Sequence, residues 1–194
     1  MAEEVFDPRG LLAALDRNVV SYVVIGGLAR VLRGTDEVTN GVDICPALRP
    51  EENLVRLGRA LEELEARRAD RRRLTVDEAA LAAEPVISLR TAFGELQLVA
   101  EPAGTRRGFE DLRRTATREP IGEGLRPQVA SLEDLARMSA ALAYELGRQP
   151  RREAERLRQV EIEHSRELRR ILDAELDLQR TLGLEREIDH GIDI

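Results

Sequence analysis

The sequence predicts an α/β (α+β) fold: a mixed sheet of about four strands flanked by helices, then a helical C-terminal part ending in a long terminal helix. Two observations carry this. Between Asn18 and Val99 short apolar runs of strand character alternate with amphipathic helical stretches, the pattern of helices layered on a sheet. From Arg151 to about Leu182 the chain becomes one highly charged helical pattern. Its apolar stripe, Leu157, Val160, His164, Leu168, Ile171, Leu178 and Leu182, is interrupted at Glu175 and repeats at roughly 3.6 residues. The expected division is a first domain over residues 1–128 and a helical region over 129–194.

Asp7-Pro8 opens the first helix, with Leu11, Leu12 and Leu15 at helical spacing up to Asp16. Tyr22–Ile25 is a short buried strand, followed by a Gly26-Gly27 turn and a short helix, Leu28–Leu32. The double glycine lets the backbone turn sharply with its N–H groups facing outward, and the positive end of the helix lies behind them, which suits phosphate. A second strand falls near Val42–Ile44. After the turn Pro46–Pro50 a helix runs from Glu51 to about Arg67, packing Leu54, Leu57, Leu61 and Leu64 on the sheet. The run Arg67–Arg73 (RRADRRR) reads as a solvated helix end, with a phosphate-contacting patch as the alternative. Leu74–Ala83 is a helix or loop. Pro85–Arg90 and Gly94–Val99 form a hairpin joined by Thr91-Ala92-Phe93. On its second strand Glu95, Gln97 and Val99 share one face, and Leu96 and Leu98 the other. Ser131 is an N-cap with Asp134 at the third following position.

A length of 194 residues suits one domain, or a domain with an appendage. The net charge of −7 offers no general attraction to nucleic acid or anionic membrane. With 3% aromatic residues and no Trp, stacking platforms for single strands are hard to assemble. The single cysteine, Cys45, cannot form an internal disulfide and reads as a buried, inert thiol in a reducing compartment. No apolar run approaches the roughly 20 residues of a membrane span. MAEEVFDPRG lacks the basic and apolar regions of a signal peptide, so a cytoplasmic location is expected. Every basic residue is arginine, which leaves no lysine for Schiff-base or phosphate-gripping roles.

The order of strand, Gly26-Gly27, short helix, Gly34 and then Thr39-Asn40-Gly41-Val42-Asp43 resembles the nucleotidyltransferase superfamily, in particular the AbiEii-like toxins and their minimal relatives. The helix carrying Asn53-Leu54, the strand Gly94-Glu95-Leu96-Gln97-Leu98, the loop Pro102–Leu112 and the phrase Gln128–Leu135 are similar to further family segments. The resemblance covers about residues 20–150 and implies a nucleotidyltransferase-like domain in which Gly26, Gly27 and Thr39 bind nucleotide phosphates. It also implies three metal-binding acids and a lysine. Here Gly41 stands at the first acid position, Asp43 at the second, Gln97 at the third and Ser139 at the lysine position, while Gly147-Arg148 lacks the Asp that follows in the family. Asp43 is thus the remnant of the metal site. Glu95, on the face of Gln97 and one pleat of roughly 6–7 Å away, is a partial substitute as a metal ligand.

Nucleotidyl transfer needs the triphosphate held in line and its developing charge neutralised, usually by two divalent ions. Three carboxylates from neighbouring strands meet that need and one does not. The expectation is therefore a nucleotidyltransferase-fold protein, catalytically impaired or inactive and without a required cofactor. It would serve as a binding, assembly or regulatory module in a toxin–antitoxin or phage-defence setting. The alternative is an active enzyme using Mg and an NTP to move nucleotides to RNA, or AMP to a protein. A third reading, nucleic-acid binding, requires Arg30, Arg33, Arg67, Arg68 and Arg71–Arg73 to converge on one face. A helix over residues 151–182 would run about 48 Å, more than a small sheet needs. Its stripe is expected to meet a protein partner or a second copy through Leu168, Ile171, Leu172 and Leu178. The alternative is a break near Gln159 or His164 that folds it back.

Overall fold

The computed structural model describes residues 6–122 and 124–145. Gly147-Arg148 and the whole terminal stripe, with His164, Leu168, Ile171, Leu172 and Leu178, lie outside the described residues.

Helix α1 (Pro8–Arg17) starts where Asp7 accepts the backbone N–H groups of Arg9 and Gly10 at 3.0 and 3.1 Å, with proline in its first turn. It buries Leu11, Leu12, Ala14 and Leu15. Strand β1 (Tyr22–Ile25) is buried throughout and runs directly into α2 (Gly26–Leu32). β2 (Gly41–Pro46) and α3 (Glu51–Glu63) follow. Next come β3 (Arg67–Arg68), α4 (Glu78–Ala83), and the hairpin β4 (Val86–Thr91) and β5 (Gly94–Val99). The chain continues through α5 (Phe109–Leu112), β6 (Thr117–Arg118), β7 (Gln128–Val129) and α6 (Leu132–Glu145). Ser131 caps α6, its hydroxyl accepting the Asp134 N–H at 3.1 Å.

The sheet is mixed, in the order β3-β4-β5-β2-β1-β7-β6. β2 with β5 and β1 with β7 are parallel, and the other pairs are antiparallel. It has seven strands rather than about four. The four expected strands are its centre, and the other three are two-residue pairings too short to leave any periodicity. Burial alternates along the hairpin, so that Ile87, Leu89, Leu96 and Leu98 join Val42 and Ile44 in one cluster with the leucines of α1 and α3. Leu132, Leu135 and Met138 of α6 belong to the same cluster. No helix among the described residues is long and apolar enough to cross a membrane.

Asn53 shows how tightly the centre is tied. It is 2% exposed. Its Oδ1 accepts the Ser21 N–H at 2.7 Å, and its Nδ2 donates to the carbonyls of Ser21 (3.0 Å) and Ala47 (2.8 Å). One amide thus fastens α3 to the start of β1 and the end of β2.

Two boundaries differ from the sequence reading for one reason. α3 stops at Glu63 instead of reaching Arg67, because Glu65 is left-handed (φ 50°). The Ala66 N–H returns to the Leu61 carbonyl and the Glu65 N–H to that of Glu62, a Schellman stop made without glycine. The run Arg67–Arg73 is therefore not a helix end: Arg67 and Arg68 pair with Arg90 and Leu89 as an edge strand.

Candidate functional site

The face of β2 and β5 opposite the buried Val42, Ile44, Leu96 and Leu98 carries the residues singled out in the sequence. Register settles their neighbours. Asp43 on β2 lies between Ile25 of β1 and Gln97 of β5, and Gln97 lies beside Ser88 of β4. One row along the strands, Gly41 faces Glu95, and Glu95 faces Arg90. The second row thus places Glu95 beside Gly41, not beside Asp43.

The Gly26-Gly27 turn is shaped around Asp43. Gly26 has φ +64°, and a Cβ there would stand 1.8 Å from Asp43 Oδ2. Glycine is needed both for the backbone angle and for the space. The Gly27 N–H donates to the Asp43 carboxylate, so one of the amides at this turn is directed to Asp43. Thr39 closes the other side: its hydroxyl donates to the Gly41 carbonyl at 3.0 Å, and a Cβ on Gly27 would meet Thr39 Oγ1 at 2.9 Å. Gly26, Gly27, Thr39 and Asp43 are thus brought together as one unit.

Burial pushes the Asp43 carboxyl above the ordinary aspartate range, against the lowering pull of the Arg30 guanidinium and the Gly27 N–H. Arg30 in turn donates to Glu37 at 2.7 Å. Gln97 is engaged as an amide, donating from Nε2 to Ser88 Oγ at 3.2 Å.

Asp43, Gln97, Arg30 and Ser139 line one cleft of about 370 Å³ between the sheet and α6, so Ser139 shares a space with Asp43 and Gln97 but not with Gly41. Its walls include Val86, Val99, Met138 and Leu142, surfaces that suit a flat apolar group better than a triphosphate. Glu101 also lines this cleft and escaped the sequence reading. It lies two residues beyond the end of β5, and its signal was its place four residues after Gln97. Glu95 opens instead on the neighbouring depression with Gly41 and Arg90. Among the described residues no three His, Cys, Asp or Glu side chains converge where they could hold a metal ion.

Cys45 is buried on β2, and burial pushes its thiol up to about 12, as expected of an unreactive thiol. The arginines do not converge on one face. Arg33 is fixed inside the fold, donating to the carbonyls of Ala130 (2.9 Å) and Val129 (2.6 Å) and to Glu119 (2.6 Å). The run Arg67–Arg73 begins at the opposite end of the sheet, where β3 is separated from β7 by four intervening strands.

Solved structures share this architecture. A solution structure of the antibiotic-resistance factor ANT(2'')-Ia, described as having substrate-regulated conformation dynamics, aligns over 93% of this chain and 94% of its own, at 19% identity and a TM-score of 0.51. A crystal structure of ANT(2'')-Ia in complex with adenylyl-2''-tobramycin aligns over 88% and 94%, again at 19% identity and a TM-score of 0.51. A Thermotoga maritima chain with a provisional nucleotidyltransferase assignment aligns over 86% and 90%, at 19% identity and a TM-score of 0.47. The chain shares the fold of ANT(2'')-Ia. No family model matches the chain, and no curated protein matches it.

Proposed function

We propose that this nucleotidyltransferase-fold protein has lost metal-dependent transfer and works as a binding, assembly or regulatory module, in a toxin–antitoxin or phage-defence setting of the AbiEii-like kind. The observation that carries this reading is the central row, in which Asp43 is flanked by the neutral Gln97 and the acid position two residues before it is Gly41. Magnesium takes near-octahedral oxygen coordination, usually through carboxylates, phosphate and water. One half-buried carboxylate already bonded to Gly27, with an amide beside it, does not fit a pair of such ions. If each missing acid costs as much as one lost oxyanion donor, about 10²–10³-fold in rate, two missing acids leave little catalysis. Calorimetric titration of ATP, GTP, CTP and UTP with magnesium tests this. The expected result is no magnesium-dependent binding of any of them. Robust nucleotide transfer by the unmodified protein, abolished by Asp43→Ala, overturns it.

One observation favours a second reading, an active enzyme moving nucleotides to RNA or AMP to a protein: Glu101 adds a carboxylate to the cleft of Asp43. In that case Glu101→Gln and Asp43→Ala should each abolish incorporation of labelled nucleotide into an acceptor. On the favoured reading neither variant differs from a background of zero.

A further inference from the structure

The run Arg67–Arg73 has no part in the cleft, yet four of its arginines, with Arg90 of the adjacent strand, divide into two groups. Arg68 and Arg72 are neutralised: both bond Asp70 (2.6 Å each) and Glu84 (2.7 and 2.9 Å). Arg67, Arg71 and Arg90 have no carboxylate partner among the described residues. All five line one open groove of about 730 Å³ at the β3 edge, with Glu65 also in its lining. Glu95 is the register neighbour of Arg90 on β5. Neither glutamate forms an ion pair with the three arginines.

This arrangement works against stability. Arg67 and Arg90 are direct register partners on adjacent antiparallel strands, and like charges placed opposite each other on a sheet repel. Acidic side chains are not scarce, since the chain has 37 acidic residues to 30 basic ones. Arg71 is moreover held in the left-handed region (φ 63°), a conformation uncommon for a residue with a side chain. Residues kept in such regions cluster where a fold presents a group to a ligand. A planar guanidinium pairs with phosphate oxygens through two parallel bonds.

We propose that this groove binds a ligand carrying two or more adjacent phosphates, held by Arg67, Arg71 and Arg90. The chemistry is shared by a nucleic-acid strand and a free polyphosphate. The groove shares Ala69 and Arg90 with the depression in front of Gly41, Asp43 and Gln97, so a strand lying in it points toward the central row. Scarce aromatics leave the contacts with phosphate rather than with bases. The site stands whether or not transfer chemistry survives.

Two probes test it on the full chain: a labelled single-stranded RNA followed by anisotropy, and inorganic tripolyphosphate followed by calorimetry, each across roughly 50–200 mM salt. Three phosphate contacts give a salt slope near −2 for the strand, at about −0.7 per contact. Arg67→Gln with Arg90→Gln should weaken binding at least tenfold at the low-salt end, and flatten that slope to about −0.7. Arg67→Lys with Arg90→Lys keeps the charges and should keep the slope, which separates lost contacts from lost folding. Arg17→Gln, at a surface pair with Glu63, should change nothing. Binding of the RNA alone identifies a strand as the ligand, and binding of tripolyphosphate alone identifies a small polyphosphate. The proposal is wrong if neither probe binds, or if the double Gln variant binds as the wild type does.

Discussion

Placing acids at Gly41 and Gln97 is the sharpest test of the central row. Gly41 can accept a side chain: a Cβ there meets Glu95 at 3.4 Å, an ordinary contact, and Gly41 is not among the left-handed glycines. Gln97→Asp gives up only the 3.2 Å bond to Ser88. In Gly41→Asp with Gln97→Asp the introduced carboxylates crowd Asp43 and Glu95 across β2 and β5. Like charges on neighbouring strands cost up to about 1 kcal/mol per pair, so without metal the variant should lose about 1–2 kcal/mol. Magnesium at 100 times its Kd would return about 2.7 kcal/mol. For a chain of this length 1 kcal/mol moves the melting temperature by about 2–4 °C, so magnesium should raise the variant's Tm by about 5–10 °C. The wild type should move by less than about 1 °C on the same scale. Thermal unfolding followed by circular dichroism, with and without magnesium, reads both. A wild-type Tm that climbs equally would refute the claim that the row cannot hold metal. A folded double variant blind to magnesium would refute the claim that the strands keep metal-site geometry.

Three further outcomes follow from the same structure. Asn53→Ala strands the Ser21 N–H and the Ala47 carbonyl, while the Ser21 carbonyl keeps the Ala47 N–H; at about 1–3 kcal/mol per stranded group the loss should be about 2–6 kcal/mol by urea unfolding, and a loss below about 1 kcal/mol counts against the staple. Val19 ends α1 in the left-handed region (φ 55°) and is 65% exposed, so Val19→Gly should stabilise by about 1 kcal/mol, whereas a destabilised variant would contradict the strain. Because burial raises the Asp43 pKa, the folded protein takes up this proton before the unfolded chain does. This carboxyl therefore favours folding as pH falls toward its raised pKa and opposes it above. Asp43→Asn should melt no lower than wild type at pH 7, and the gap should close on acidification through the window just above the ordinary aspartate range. The lowered acids Glu63, Asp70, Glu84 and Asp111 act in the opposite sense in both proteins and cancel in the comparison.

The hairpin was legible because Ile87, Leu89, Leu96 and Leu98 alternate with polar residues around a short turn. The first turn was legible because a double glycine between apolar runs has few other uses. What escaped was set by pairing rather than by pattern. β3, β6 and β7 are each two residues long and exist only because a neighbour offers an edge. The end of α3 was invisible because Glu65 occupies a position where glycine is the usual signal. At the site, the two-residue period placed Gln97 and Glu95 on one face, but which of them stands beside Asp43 depends on the register of β2 against β5. Glu101 and Ser139 share the cleft only through the packing of α6, which no local pattern encodes.

The parallel join of β2 to β5 also bears on how the protein is made. Asp43 and Gln97 are partners separated by about 50 residues of chain, and at about 5–20 residues per second β2 waits roughly 3–10 s on the ribosome for its neighbour. During that wait its open edge, with Val42, Ile44 and Cys45 alongside, offers unpaired backbone groups to any passing strand. The β4–β5 hairpin can close locally as soon as its turn emerges, and then docks as a finished unit. The central row is therefore assembled only once the hairpin is complete, and a substitution that slows the hairpin should lower the yield of native protein during synthesis even where it leaves the folded state untouched.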